Sequence, residues 1–510
     1  MTTAQLSRRA MLRRLGAVGA AGTAAPWMLN LAALAPAQAA GVGGYKALVC
    51  LFLYGGNDAY NTVLATDSTS WNAYLAARND GNDPVALQPP GTAPNKSSPS
   101  YNARLGGVLP ITPRTAQSGR SFALHPQLNA VRDLFAGGRL AVVANVGPLV
   151  APTTKASYTT NLASLPPKLY SHNDQESVWM SMGAEGATVG WGGAMVDRLV
   201  AQNTNPMFTS IAAGGNNAVW LAGRNVRPYS VALTGPIHLG SPDGTLYSST
   251  VAQQTLQSLT RSTRESQYFE QDHAAVVDRS ITAEGVLSPA MPAQNMAPWG
   301  TANLAVGAVD PLLCYKAVDS GAATLNPITQ QLQVIARMIA ARAPLGMGRQ
   351  IFFVNCQGWD THESQNTRHA DLMAQLNQAL SYWDTVTRAM GVDGQVTTFT
   401  ASDFGRAFAS NGTGTDHGWG GHHFVMGGAV KGGDLYGRFP TYGLSDGVGG
   451  FLSDDQVDDG SLLPAQAVEQ YAGTLGTWMG VSNGDLQSIM PNIANFTPQS
   501  NWNLGFMNAA

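Results

Sequence analysis

Carboxylate and imidazole side chains follow a strand-like apolar run in the C-terminal half of the chain. The run IFFVNC begins at Ile351 and leads directly into GWDTHE, which brings Asp360 and His362 two positions apart. Residues two positions apart lie on one face of an extended segment. Aspartate and histidine are also ligands that hard or borderline divalent cations prefer. The spacing therefore indicates a metal-binding segment.

Three more side chains of the same kind lie next to other apolar runs. Asp58 follows ALVCLFL and YGGN, Asp403 follows QVTTFTAS, and His417 lies in the glycine-rich segment NGTGTDHGWGG. The alternative is that each aspartate caps a helix or turn and each histidine is an ordinary loop residue. Their recurrence after several separate strands favours a shared metal centre. We expect one or two divalent ions there, zinc first, with calcium, magnesium or manganese as alternatives.

The segment SHNDQESVWM contains a candidate nucleophile at a predicted helix start. Ser171 precedes Asn173 and Asp174, so Ser171 or Asn173 could be no more than a helix cap. A hydroxyl at a helix N-terminus beside a metal ion would be activated for attack, and the free N–H groups there favour an anionic substrate. Ser171 is therefore a candidate nucleophile. His172 is a candidate ligand or general acid.

The pattern of strands and helices that must position these residues predicts an α/β fold. Continuous apolar runs begin at Ala47, Leu140, Ile351, Gln395 and His422, and segments with helical spacing lie between several of them. One such segment is RHADLMAQLNQALSYWDTVTRAM and another is QLQVIARMIAARA. This alternation predicts a mainly parallel central sheet with helices on both faces, in which ligands bind beyond the carboxyl ends of the strands.

The N-terminal segment is typical of a cleavable export signal. It has a basic start with Arg8, Arg9, Arg13 and Arg14, a weakly apolar stretch, and a small-residue site that ends at Ala39. Ser7-Arg8-Arg9 resembles the twin-arginine type, which predicts export to the periplasm or beyond in a bacterium. A membrane anchor is disfavoured because glycines and a proline interrupt the apolar run.

The mature chain, residues 40–510, is predicted to be a single large domain with insertions near 83–120 and 280–326. The first insertion is rich in proline and serine, and the second has no helical or strand period and reads as a loop-like excursion. The net charge is −3, and no acidic residue precedes position 40, so removal of the signal makes the balance more negative. Nucleic acid is excluded as a partner because it requires a basic surface.

Six segments together resemble one family of exported proteins. They are LYGGNDAYNTV, FALHPQLNAVRDLFAGGRLAVVANVG, SHNDQ, GWDTHESQ, SDFGRAFASNGTGTDHG and LLPAQAVEQYAGTLGTWMGVS. In this order, and over essentially the whole mature chain, they are similar to the domain of unknown function 1501 family. That resemblance implies a relationship to the alkaline phosphatase and sulfatase superfamily, with an α/β sandwich and a metal centre at the strand ends.

The resemblance also implies roles for individual residues. Asp360, His362 and His417 look like the ligands of one metal ion, with Asp58 and Asp403 at a second. Ser171 stands roughly where the superfamily has its nucleophile. One departure is that the superfamily has Asp-His where this chain has Asp403-Phe404, so the second site lacks a ligand. A one-metal enzyme, a two-metal enzyme and a site without catalysis all remain open.

The function indicated is an exported, metal-dependent hydrolase of phosphate or sulfate esters, acting on a small-molecule or polymer ester. The alternative is a non-catalytic envelope or polysaccharide-binding protein on the same fold. In that alternative, Trp191, Trp359 and Trp419 would stack on sugar rings. The sequence does not determine the oligomeric state.

Overall fold

The computed structural model describes residues 44–508 apart from 82, 118, 162–164, 216–217, 242, 262–266 and 306. The helices are α1 (Ala59–Thr62), α2 (Ser68–Arg78), α3 (Tyr101–Leu105), α4 (Asn129–Ala136), α5 (Lys155–Thr160), α6 (His172–Ser181), α7 (Trp191–Leu199), α8 (Thr250–Thr260), α9 (Tyr268–Ala290), α10 (Pro327–Ala340), α11 (Gln365–Ala389), α12 (Val468–Met479) and α13 (Asn483–Ile489). The strands are β1 (Lys46–Leu53), β2 (Val63–Ala65), β3 (Leu109–Ile111), β4 (Phe122–Leu124), β5 (Leu140–Gly147), β6 (Ser210–Ala213), β7 (Tyr229–Val231), β8 (Cys314–Lys316), β9 (Ala323–Leu325), β10 (Arg349–Cys356), β11 (Val396–Ser402), β12 (Gly421–Met426), β13 (Leu435–Tyr436), β14 (Gln456–Val457), β15 (Ser461–Leu462) and β16 (Gln466–Ala467).

A nine-stranded sheet forms the centre of the fold. Its order is β13-β5-β12-β11-β1-β10-β6-β7, and β16 also pairs with β5. The pairs on both sides of β1 and β10 are parallel, whereas β12 runs antiparallel to both of its neighbours. The predicted α/β fold with a mainly parallel central sheet is confirmed.

The side chains of β1 show how the sheet divides the core. Ala47, Val49 and Leu51 belong to one hydrophobic cluster, which also contains residues of α10 and α11. The alternate residues Leu48 and Cys50 belong to a second cluster, which contains residues of α7 and α12. Strand side chains alternate between faces, so a strand buried on both faces reads as one continuous apolar run. Helices therefore cover both faces, as the sequence pattern predicted.

The register of the parallel strands brings three loop starts to one edge. Leu53 at the end of β1 lies opposite Cys356 at the end of β10 and opposite Ser402 at the end of β11. Strand β12 runs the other way, so its first residue, Gly421, lies at the same edge. The loops that hold the predicted metal-binding residues therefore all begin or end at this edge.

The two segments predicted as insertions add no strand to the nine-stranded sheet within the described residues. The first holds α3 and β3, and β3 joins β2 and β4 in a separate three-stranded sheet. The second is not loop-like at its start, because residues 280–290 continue α9. Only Ile281, Ala283 and Leu287 of that helix are buried, which is why the sequence shows no apolar stripe there.

From Tyr45 to Ala510 the chain forms one compact unit. The predicted signal segment, residues 1–39, lies outside the described residues. Among the helices that the structure describes, none is long and apolar enough to span a lipid bilayer.

Candidate metal centre

Four side chains converge at the carboxyl edge of the sheet, and we call them the Asp360 cluster: Asp360, His172, His362 and His417. Oδ1 of Asp360 lies 3.1 Å from Nε2 of His362 and 3.6 Å from Nε2 of His417. Oδ2 of Asp360 lies 3.7 Å from Nε2 of His172. The cluster combines the loop after β10, the segment before β12 and the first residue of α6. Sequence-distant elements thus meet around one carboxylate.

Each imidazole of the cluster is anchored through its Nδ1 atom. His172 Nδ1 lies 2.7 Å from a carboxylate oxygen of Asp403, and His362 Nδ1 lies 3.0 Å from one of Asp416. His417 Nδ1 lies 2.7 Å from the backbone carbonyl of Tyr170. These oxygens can only accept, so each Nδ1 carries the hydrogen, and each neutral ring has its lone pair on Nε2.

The Nε2 lone pairs face one another as well as the carboxylate. Nε2 of His362 and Nε2 of His417 are 2.8 Å apart. Two lone pairs at this distance repel unless a proton or a cation lies between them. Histidine ligands of metal ions characteristically donate their other N–H to a carboxylate or a backbone carbonyl, which is the arrangement of all three rings.

His172, Asp360 and His417 form a group that could hold a single divalent cation, with ligand atoms spread somewhat wider than a bound ion requires. Ligand atoms of His172, Asp360 and His417 lie within 4.8 Å of one another. Two ligands each bonded at about 2.0–2.2 Å in tetrahedral geometry are roughly 3–3.5 Å apart. The two imidazole nitrogens and one carboxylate oxygen of this group are donors suited to a borderline ion such as zinc rather than calcium or magnesium, and Nε2 of His362 lies beside the group, 2.8 Å from Nε2 of His417. The residues present therefore fit the predicted metal cofactor.

The pKa shifts favour an ionised Asp360 and a neutral His417, but they favour proton binding at His172. Burial lowers the pKa of His417, which favours its neutral form. The hydrogen bond to Asp403 raises the pKa of His172. Burial alone would raise the pKa of Asp360, but the hydrogen bond and charge of Arg406 hold that pKa below its ordinary value. Asp360 is therefore ionised at neutral pH.

The guanidinium of Arg406 fixes the orientation of Asp360. Its Nη1 lies 3.0 Å from Oδ1 of Asp360 and 2.9 Å from the carbonyl oxygen of Gly55, and the side chain is fully buried. Gly55 has a φ of +116°, and a Cβ there would lie 2.3 Å from the backbone nitrogen of Asp360. Glycine is required at this position because the loops after β1 and β10 touch.

Asp403 lies behind His172. One of its carboxylate oxygens accepts hydrogen bonds from His172 Nδ1 and, at 3.1 Å, from the backbone N–H of Gly55. The other oxygen is buried and has no hydrogen-bond partner. The next residue, Phe404, packs its ring against His172 and His417 at centroid distances of 4.8 and 4.7 Å. Asp403 orients an imidazole here, and an apolar ring stands where the resemblance led us to expect a histidine.

Asp58 does not join the Asp360 cluster. Its carboxylate is completely buried and forms a 2.6 Å ion pair with Arg78, and it accepts a further hydrogen bond from Gln365. It also accepts from the backbone N–H of Tyr60, which makes it the N-cap of α1. Asp58 thus caps a helix, which is the alternative to metal binding considered from the sequence, and the buried guanidinium of Arg78 neutralises its charge. A second cation site built on Asp58 and Asp403 is not assembled by these contacts.

Ser171 lies at the N-cap position of α6, immediately before His172. Its hydroxyl donates a 2.7 Å hydrogen bond to Asp174, a residue of the first turn of the same helix. Lys168 forms an ion pair with the same carboxylate. The hydroxyl of the candidate nucleophile is thus directed to its own helix.

The three tryptophans proposed to stack on sugar rings are in the protein core. Trp191, Trp359 and Trp419 are each at most 2% exposed. Trp191 and Trp419 donate their indole N–H groups to the backbone carbonyls of Trp179 and Pro148. The prediction of a sugar platform at these residues is wrong, because large aromatic side chains beside glycine-rich loops were needed for packing.

Sequence reasoning missed the residues that orient the cluster. Arg406 and Asp416 lie next to predicted residues in SDFGR and TDHG, so their proximity in sequence was an available signal. The backbone carbonyl of Tyr170 left no signal in the sequence, because every residue type has a backbone carbonyl. Its position depends on a left-handed backbone with φ of +71°. Arg78, which neutralises Asp58, is also unmarked in the sequence.

Comparison with known proteins gives a family but no function. A family model described as "Protein of unknown function (DUF1501)" matches residues 45–451. No curated protein matches the chain. Among solved structures, Ps i-CgsB in complex with k-i-k-neocarrahexaose is 9% identical, with a TM-score of 0.35 over 88% of this chain and 74% of that one.

A second solved structure has a similar degree of likeness. It comes from work on the metabolism of multiple glycosaminoglycans by Bacteroides thetaiotaomicron and is 9% identical, with a TM-score of 0.31 over 87% of this chain and 74% of that one. At these values neither likeness bears on the chemistry of the site.

Proposed function

The chain belongs to the DUF1501 family of proteins of unknown function, and from this premise we propose that it is an exported, metal-dependent hydrolase of phosphate or sulfate esters. One divalent cation, of the zinc class, would be held by the Asp360 cluster. The observation that carries this proposal is the common arrangement of His172, His362 and His417. All three rings are anchored at Nδ1 and direct Nε2 towards one carboxylate.

The proposed chemistry divides between the cation and the chain. When bound, a divalent cation acts as a Lewis acid, which lowers the pKa of a coordinated water and offsets charge that develops on an ester oxygen. Asp403, Asp416 and the Tyr170 carbonyl hold each imidazole in the tautomer that leaves Nε2 free. Arg406 holds Asp360 in position.

The contacts support a single cation and an attacking water molecule. Asp58 is neutralised by Arg78, and the Asp403 oxygen that contacts the cluster is engaged by His172 and Gly55, while its other oxygen is buried, so these contacts do not assemble a second ion site from the two residues. The hydroxyl of Ser171 donates to Asp174. Water is therefore favoured over Ser171 as the nucleophile. The resemblance of Ser7-Arg8-Arg9 to a twin-arginine signal supports export to the periplasm or beyond.

The proposal is tested by the metal content of the full chain produced with its signal in a bacterial host. We expect close to one zinc-class ion per chain and turnover of aryl sulfate, aryl phosphate or phosphodiester substrates. Asp360→Ala should lose both the ion and the turnover. Asp133→Asn is the matched control, because this exposed aspartate lies on α4, which leads into the amino end of β5 at the opposite edge of the sheet.

Two results would contradict the proposal. One is a folded wild-type protein that binds no divalent cation at micromolar zinc. The other is an Asp360→Ala variant that retains the metal content and activity of the wild type.

A further inference from the structure

The carboxylates around the Asp360 cluster determine which charge it can accept on a substrate. The side chains of Asp360 and Asp416 are 46% and 58% exposed, so both face the solvent from which a substrate approaches. Asp403 is buried directly behind His172. Three carboxylates thus surround the position that a cation would occupy.

Arg406, the cationic side chain that is paired with the cluster, directs its donors away from an approaching substrate. Arg406 is fully buried, and its donors are turned to Asp360, the Gly55 carbonyl and Thr415. In the described part of the chain, no other lysine or arginine forms an ion pair with Asp360, Asp403 or Asp416.

Carboxylates outnumber the positive charges at the centre when a cation is bound. A divalent ion and Arg406 carry three positive charges, whereas Asp360, Asp403, Asp416 and Glu176 carry four negative ones at pH 8, because burial raises the pKa of Glu176 only to about 7. A substrate group with one negative charge is still drawn to the cation that it contacts. A second negative charge lies close to the exposed carboxylates of Asp360 and Asp416, and no donor of Arg406 is directed towards it.

We infer that the centre discriminates by charge and prefers esters with a monoanionic reacting group, such as sulfate esters and phosphodiesters, over dianionic phosphate monoesters. This inference rests on the proposed function and narrows its substrate class. It requires no residue beyond those that form the cluster and its supports.

The test compares two substrates of nearly equal shape and the same leaving group. At pH 8, p-nitrophenyl phosphate is a dianion, because its second pKa lies near ~6, whereas p-nitrophenyl methylphosphonate is a monoanion. With the zinc-loaded full chain we expect kcat/KM for the phosphonate to exceed that for the phosphate by roughly tenfold or more, from one uncompensated charge at close range.

A pair of variants separates charge from structure. Asp416→Asn keeps an oxygen that accepts from His362 but removes the charge, so any change in the position of His362 affects both substrates alike. The ratio of the two kcat/KM values should fall several-fold in Asp416→Asn, and calorimetry on the zinc-loaded protein should show the same fall in the ratio of the affinities for dimethyl phosphate, a monoanion, and methyl phosphate, a dianion at pH 8. It should be unchanged in Asp133→Asn.

The possible results test the charge preference separately from the proposed hydrolase function. The charge preference is overturned if turnover favours the phosphate, or if the ratio of the two kcat/KM values is the same in Asp416→Asn and wild type. Either result still supports the proposed hydrolase function. If the zinc-loaded protein turns over neither these two substrates nor p-nitrophenyl sulfate, the hydrolase and the inference are both overturned.

Discussion

Asp58 and Asp360 occupy comparable places in the fold but have opposite environments. Each follows a strand, β1 and β10 are neighbours in register, and both loops leave the same edge of the sheet. Asp58 is completely buried against the guanidinium of Arg78, with further hydrogen bonds from Gln365 and the backbone. Asp360 is half-exposed and faces three imidazoles.

The difference shows what separates a carboxylate with a purely structural role from one that could hold a cation. The partners of Asp58 are all donors and leave its charge neutralised, so the site is complete without a ligand. The Asp360 cluster contains three nitrogen lone pairs that face a carboxylate and one another with no hydrogen-bond donor between them. A proton or a cation is needed to offset the repulsion among these acceptors. Both aspartates lie in a glycine-containing segment after a buried strand, and their partners decide which role each can have.

The largest expected effect is on the stability of the buried pair. Asp58→Asn leaves the charge of Arg78 buried without compensation, so the free energy of unfolding should fall by about 3–5 kcal/mol. Asp360→Asn also removes the carboxylate paired with the buried guanidinium of Arg406, but this carboxylate is half-exposed and water screens part of the interaction, so the loss should be smaller, about 1–2 kcal/mol when no cation is present. Urea titration of both variants in chelator measures the difference. Equal losses would show that the two carboxylates do not differ in the way described.

The histidine beside the buried pair should make the fold sensitive to acid. His369 donates through Nε2 to Asn57, and burial lowers the pKa of its ring to about 4. The unfolded chain binds a proton near pH 6.5, so stability is fully present above that pH and is lost as the pH falls through about 4.

Replacement of this histidine isolates its contribution. His369→Gln keeps an amide donor near Asn57 and removes the titrating ring. Between pH 6.5 and 4, the free energy of unfolding should therefore decrease by about 3 kcal/mol less in the variant than in the wild type. Urea titrations at several pH values give both profiles. Parallel profiles for wild type and variant would exclude His369 as a contributor, beside the buried His125, His422 and His423, to the acid sensitivity.

The smallest expected effect is on the zinc affinity of the Asp360 cluster when the residue that orients His172 is changed. Asp403→Asn presents either an acceptor or a donor to His172 Nδ1, which weakens control of its tautomer. Zinc affinity should fall by about 10- to 100-fold while the wild-type fold is retained. Competition with a chromophoric chelator measures the affinity, and ¹⁵N chemical shifts of the histidine rings report the tautomer. An unchanged tautomer and affinity would show that Asp403 does not orient His172.

Much of the fold was predictable because strand burial leaves a direct mark on sequence. The runs that became β1, β5 and β10 are apolar at consecutive positions, since both faces of the sheet are covered. The reversed direction of β12 was not predictable from its own residues, because the same apolar run fits either direction. The helical start of the second insertion was missed because α9 buries few side chains.

The sequence by itself determined the chemistry available at the sheet edge. Aspartates and histidines follow its strands, and their types favour a metal ion. Only the tertiary structure decided which of them meet. Arg78 reaches Asp58 from the end of a separate helix, and the cluster is assembled from residues up to 245 positions apart, from His172 to His417. Those choices depend on long-range packing and on a backbone carbonyl, neither of which leaves a local pattern in the chain.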